Sequence, residues 1–163
     1  MALDYIRNKH ASTIELDGES ILARTTIEDT FFAAIVEVIV QLPDLEVASI
    51  KGEIKRALHH KECQGAIPLL QEVVGLRIGP GIIKVVNSLI GGTKGCPKMA
   101  DLVLECCDEV ILRFTLDPLK RLQAMTGDEW EEGMKEFLQQ NPRLMGSCIA
   151  FSEGSPLRKK FGL

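Results

Sequence analysis

Long apolar runs are missing from this chain. The longest, Phe31 to Val40, is ten residues with Glu37 inside it. That is too short to span a bilayer and reads instead as a buried strand. The opening MALDYIRNKH has no apolar stretch of the kind an export signal carries, so a cytoplasmic protein is expected. An excess of basic charge is missing too. Nineteen Lys and Arg stand against 23 Asp and Glu, a net charge of −4. A basic face is the usual footprint of nucleic-acid binding, so nucleic acid is not expected as a partner, nor is a membrane. The best basic run, Arg158-Lys159-Lys160, reads as a solvated end. Disulfide-forming cysteine pairs are not apparent. The five cysteines, at 63, 96, 106, 107 and 148, are odd in number, and the adjacent Cys106-Cys107 suits no disulfide framework. Free thiols in a reducing compartment follow.

Several catalytic and nucleotide signatures are also lacking. GGTKGC has neither the spacing nor the closing Lys-Ser/Thr of a phosphate-binding loop, and GLRIGPG has no dinucleotide fingerprint. No serine sits in a nucleophile elbow. With His10, His59 and His60 the only histidines, no Cys-His catalytic pair is indicated. There is no internal repeat, low-complexity tract or interdomain linker.

What is present is an ordinary globular composition, 45% apolar and 26% charged over 163 residues. That length fits one domain, residues 1–163, able to bury a core without disulfides or a metal. The first third reads as strands. Residues 5–16 run to the hairpin signal Asp17-Gly18. Residues 20–28 return, with Ile21, Ala23, Thr25 and Ile27 on one face. After Asp29-Thr30, residues 31–42 put Phe32, Ala34, Val36, Val38 and Val40 on one face and Glu37 and Gln41 on the other. Pro43-Asp44 marks a turn. Residues 45–58 fit either period; alternation through Ala48, Ile50, Gly52 and Ile54 favours a fourth strand, bulged at Gly52, over a helix from Ser49.

From Cys63 the period becomes helical. A first helix ends at Gly75, a second starts at Gly79-Pro80 and stops at Gly91-Gly92, and a third runs from Cys96-Pro97 to about Phe114. Asp117-Pro118 starts a short fourth. A capping box, Thr126 to Glu129, opens a fifth that stops at Asn141-Pro142. Residues 145–163 show little periodicity. The expected fold is therefore α+β: a sheet of three or four antiparallel strands over 5–58, then helices over 63–140, those of 63–113 packed on one face, with an irregular tail over 145–163. Phe32, Val36, Val38, Ile83, Val86, Leu89, Leu102 and Val103 are expected in the core. The second face, with Phe31, Ala33, Ile35 and Ile39, is more apolar than a solvated face needs. Either a second copy, giving a homo-oligomer, or the helices of 117–140 would cover it.

One segment concentrates the chemistry. In Gly91-Gly92-Thr93-Lys94-Gly95-Cys96-Pro97-Lys98, three glycines let the backbone turn tightly, and Cys96 falls at a helix start where free N–H groups favour a thiolate. Lys94 and Lys98 push the same way. The structural alternative is a tight interhelical turn with a small buried residue. His60, three residues before Cys63, offers a second pair of candidate metal ligands, against the alternative of an exposed polar turn. Cys106 and Cys107 read as core filling. Cys107 lies about 16 Å along a helix from Cys96, too far to share a metal ion with it.

The order Asp29-Thr30, Cys63, GLRIGPG and GGTKGCPKMADLV resembles the bacterial domain of unknown function 2889 over about residues 5–113. Relatives often carry a histidine two residues after the cysteine; here that position is Lys98. The family implies no activity. The layout is also similar to the U-type iron–sulfur scaffolds, with Cys63, Gly95-Cys96 and Cys148 in order and Asp29 as the accompanying carboxylate. Three functions stand open. One is a metal or iron–sulfur protein using Cys63 and Cys96 with His60 and Asp29, holding zinc or a cluster. Another is a protein binding a small anion, a carboxylate, phosphate or acyl-coenzyme, at Lys94, Gly95 and the helix start. The third is a thiol enzyme with Cys96 as nucleophile.

Overall fold

The computed structural model describes residues 4–162. The chain forms two compact units, one reaching Arg113 and one from Phe114 onward. The first holds an antiparallel sheet of four strands in sequential order: β1 (Arg7–Glu15), β2 (Ser20–Asp29), β3 (Ala33–Gln41) and β4 (Glu46–Arg56). It continues through α1 (His60–Gln64), a 3-10 segment (Pro68–Val73), α2 (Ile82–Ile90) and α3 (Pro97–Gln123).

Alternation fixes which face is buried. Cross-strand rows such as Thr13–Ala23–Val38–Ile50 and Ala11–Thr25–Val36–Gly52 put small and β-branched residues on the covered face. Ala23, Thr25, Val36 and Val38 are fully buried there. Against them pack Leu70 and Val73, Val86 and Ile90, and the stripe Met99, Leu102, Val103, Cys106 and Val110 of α3. The opposite face is mixed; the Arg24–Glu37 ion pair crosses it. Phe31, one of the apolar residues expected on that face, is exposed, and Ala33 is buried.

The ambiguous segment 45–58 is a strand, but its irregularities do not fall at Gly52. Residues Ala48 and Lys55 are the extra ones, since Ile39 pairs with Ser49 while Val40 pairs with Val47, and Ala33 pairs with Arg56 while Ala34 pairs with Ile54. The first irregularity lets Val47 and Ile50, three apart, both face the core. Gly52 sits in regular register opposite Val36. A methyl group there would collide with Leu70 and come within 3.1 Å of Met99, so glycine serves close packing rather than a bulge. The outer edge of β4 is covered. Gln64 and Gln71 donate side-chain hydrogen bonds to the carbonyls of Ile54 and Ile50, at 2.9 and 3.1 Å. Residues 75–78 add backbone bonds to Val47 and Leu45. These bonds satisfy part of the edge within the unit.

The helical half departs from expectation in several places. Residues 63–75 form no single helix: α1 begins earlier, at His60, and Pro68 opens a separate 3-10 segment, because proline has no N–H to continue the α pattern. Pro80 does not begin α2; Gly81 takes a left-handed conformation (φ +90°) and the helix starts after it. Asp117-Pro118 starts no new helix, since α3 runs through Pro118, giving up one backbone hydrogen bond. Ile83, expected in the core, is 63% exposed.

The second unit contains the end of α3, α4 (Gly127–Gln140) and α5 (Pro156–Phe161). Thr126 stands at the N-cap of α4 without a side-chain capping bond, so the capping box is not formed. The tail is not irregular throughout. Ser155 caps α5, and Lys160 pairs with Glu131 at 2.8 Å and lies over the Trp130 ring. Among the described residues no helix is long and apolar enough to cross a membrane.

Candidate functional site

The Gly-Gly-x-x-Gly-Cys element is an interhelical turn with specific steric demands. A methyl group on Gly91 would lie 2.7 Å from the Asn87 carbonyl oxygen, and one on Gly95 would collide with the carbonyl of Ile90. The Cys96 N–H donates to that same Ile90 carbonyl at 2.9 Å. The Cys96 amide, at the start of α3, is therefore already engaged in closing α2. Lys94 is exposed and Cys96 is half-buried against the core.

Cys63 lies in α1, also half-buried against the core. His60, one turn earlier, is exposed, and its Nε2 stands 3.0 Å from Gln64 Nε2. Gln64 ties α1 to Ile54 of β4, while Lys98 ties the start of α3 to Asp29 and to the Phe32 ring. Both cysteine-bearing segments thus abut the same end of the sheet. Even so, among the described residues no group of three or more His, Cys, Asp or Glu side chains gathers in a way that could hold a metal ion.

Asp29 is buried, its side chain 1% exposed, at the last position of β2. Oδ1 accepts the backbone N–H groups of Phe31 and Phe32, at 2.9 and 2.7 Å, shaping the turn into β3. Oδ2 accepts the Tyr5 hydroxyl at 2.9 Å and the Arg7 guanidinium at 3.0 and 3.2 Å. The Lys98 ammonium stands 3.5 Å away. Burial alone would raise its pKa. The Phe31 amide, Tyr5, Arg7 and the Phe32 amide outweigh burial and hold the carboxyl well below the usual carboxylate range. Surrounded by two cations and donors on both oxygens, Asp29 fastens the N-terminal segment, the β2–β3 turn and α3 together.

Cys106 and Cys107 are not reactive thiolates. Burial pushes the Cys106 thiol up to about 11 and that of Cys107 up to about 12. Cys106 Sγ lies 3.2 Å from Thr25 Oγ1 inside the core.

An apolar concavity lies elsewhere. A groove of about 580 Å³ opens in the first unit beside the edge strand β1. Its walls are Ile78, Ile82 and Ile83 on one side and Leu104, Cys107 and Ile111 of α3 on the other. Its rim is charged: Asp101, Glu105 and Asp108 lie along one stripe of α3, and Lys9 projects from β1. The segment that builds the first wall is held by the Ile78 N–H bond to Leu45 and by Gly81 turning the chain into α2. None of these groove residues was singled out as a site in the sequence. One signal was available. Six of the nine residues of α2 are aliphatic, more than one face can bury, and Ile83 and Val85 are left outside.

Residues 10–111 match the family described as a protein of unknown function, DUF2889. This chain belongs to that family. The match runs from β1 through the acidic stripe of α3. It therefore takes in the Asp29 cluster except Tyr5 and Arg7, and the groove except Lys9. No curated protein and no solved structure matches the chain. None of the comparisons returns the iron–sulfur scaffolds.

Proposed function

We propose that this chain is a binding protein for a small, mainly apolar molecule held in the groove between the Ile78–Ile83 segment and α3. The observation that supports this reading is the convergence of six apolar side chains on one concavity of about 580 Å³. That size falls within the range of roughly 300–1,000 Å³ typical of small-molecule sites. Ile83, 63% exposed on the wall of this groove, is a large aliphatic side chain with no core to enter. A ligand would remove its surface from water, at roughly 25 cal/mol per Å².

The groove also differs in charge from the anion site expected at Lys94 and Gly95. Three carboxylates and one ammonium surround it, so a carboxylate or phosphate would meet net repulsion.

The test is titration with a neutral, environment-sensitive dye such as Nile red. Saturable binding to the wild type is expected. Ile83→Arg should weaken it about tenfold, because an exposed wall residue becomes a charged obstruction. Val85→Arg, on the same helix but outside the groove, should leave it unchanged. No saturable binding, or equal binding to Ile83→Arg, would overturn the reading.

A further inference from the structure

We infer that the molecule taken by this groove is an organic amine, and that Lys9 is the groove's own counter-ion, displaced when the amine enters. The inference rests on the groove reading above and adds the ligand's charge. Lys9 pairs with Ile27 in register, so it lies on the covered side of the sheet at its edge strand. Its ammonium makes an ion pair with Glu105 of α3. Both side chains are only about one-third exposed, at 37% and 35%. The pair therefore spans the groove from strand to helix, partly withdrawn from water.

The charge around it is unbalanced. Lys9 is the only cation among the lining residues, against Asp101, Glu105 and Asp108. Asp101 and Asp108 are exposed, and neither has an ion pair among the described residues. Two carboxylates are thus left over beside Glu105, one turn away on either side. A second ammonium on an apolar body would complete this arrangement, its chain against Ile82, Leu104 and Ile111 and its charge at the acidic stripe. Glu105 would then be contested. Lys9 swings out to solvent, a motion its flexible stem permits at little cost. A carboxylate ligand would need Lys9 alone and would face the other two acids.

The experiment displaces Nile red with decylamine, decanol and decanoate, each below its aggregation concentration. Wild type, Lys9→Met and Glu105→Gln are compared, with circular dichroism confirming that each variant is folded. In the wild type the amine should compete best and the carboxylate worst. Lys9→Met keeps the stem but removes the charge. It should raise the amine's affinity about fivefold, on the scale of a partly exposed ion pair, and change decanol's by less than twofold. Glu105→Gln should erase most of the amine's advantage. Unchanged or weaker amine binding in Lys9→Met would overturn the assignment, as would tightest binding of decanoate or no displacement by any of the three. If Nile red itself ignores Ile83→Arg, the groove reading falls instead.

Discussion

The Lys98 ammonium stands 3.5 Å from Oδ2 of Asp29 and 4.5 Å from the centre of the Phe32 ring. It faces a carboxylate whose oxygens already accept five hydrogen bonds. Its place in this protein is to join the start of α3 to the β2–β3 turn. Lys98→Ala should therefore cost little, about 0.5–1 kcal/mol, because the ammonium is half-exposed and Arg7 and Tyr5 remain. Urea denaturation of the variant against wild type measures this. A loss several times larger would mean that Lys98 is the principal partner.

Asp29 predicts an acid dependence with a definite sign. Its folded pKa is depressed, so its stabilising contribution is complete above the unfolded carboxylate value of about 3.9. That contribution is lost as pH falls from there through the folded value. Asp29→Asn should destabilise by about 2 kcal/mol at neutral pH, since buried donors lose a charged acceptor. The gap between wild type and variant should hold from pH 7 down to about 5 and shrink steadily below 4. Denaturation midpoints across that range would show it; a gap independent of pH would contradict it.

The thiols should sort by burial. Cys148 is exposed, Cys63 and Cys96 are half-buried, and Cys106 and Cys107 are buried with raised pKa values. In native protein at pH 8, iodoacetamide should label Cys148 first, Cys63 and Cys96 more slowly, and Cys106 and Cys107 only after denaturation. Peptide mapping of labelling times is the readout. Early labelling of Cys107 would mean that the α3 wall of the groove opens.

Gly52→Ala should destabilise by about 1–3 kcal/mol, because its methyl meets Leu70 and Met99, both fully buried. Pairing it with Leu70→Ala tests the cause. The double variant should lose less than the sum of the single losses, as the truncated side chain makes room.

Metal analysis addresses the cysteine reading directly. Protein purified anaerobically without a chelating tag should hold sub-stoichiometric metal, with no difference in Cys63→Ser or Cys96→Ser. Stoichiometric metal lost in both variants would restore a shared metal site.

The sheet was legible because period-two patterning needs no partner to be read. Phe32, Val36 and Val38 could face the core only if residues 31–42 were extended, and Asp17-Gly18 closed the first hairpin. The sequence left three or four strands open; the structure has four, in sequential order. The family resemblance rested on local words, GLRIGPG and GGTKGCPKMADLV, which survive as contiguous sequence whatever they contact. The helical half was less legible. Whether Pro68 splits a helix, or Pro118 lies inside one, depends on what surrounds a single missing backbone bond.

The tertiary structure alone decided what the polar residues do. In the sequence Asp29 stood as a candidate metal ligand; folding brings Tyr5, Arg7 and Lys98 to it from distant positions. Gly52 read as a bulge until Leu70 and Met99 were seen to press against it. The groove needed Lys9, Ile78 and Leu104 to meet, residues up to 95 positions apart in the chain. Periodicity along a strand or helix records which face is buried, and that much the sequence determined by itself. Which buried or rim residues come together is set by chain crossings between elements, and those leave no local periodic trace.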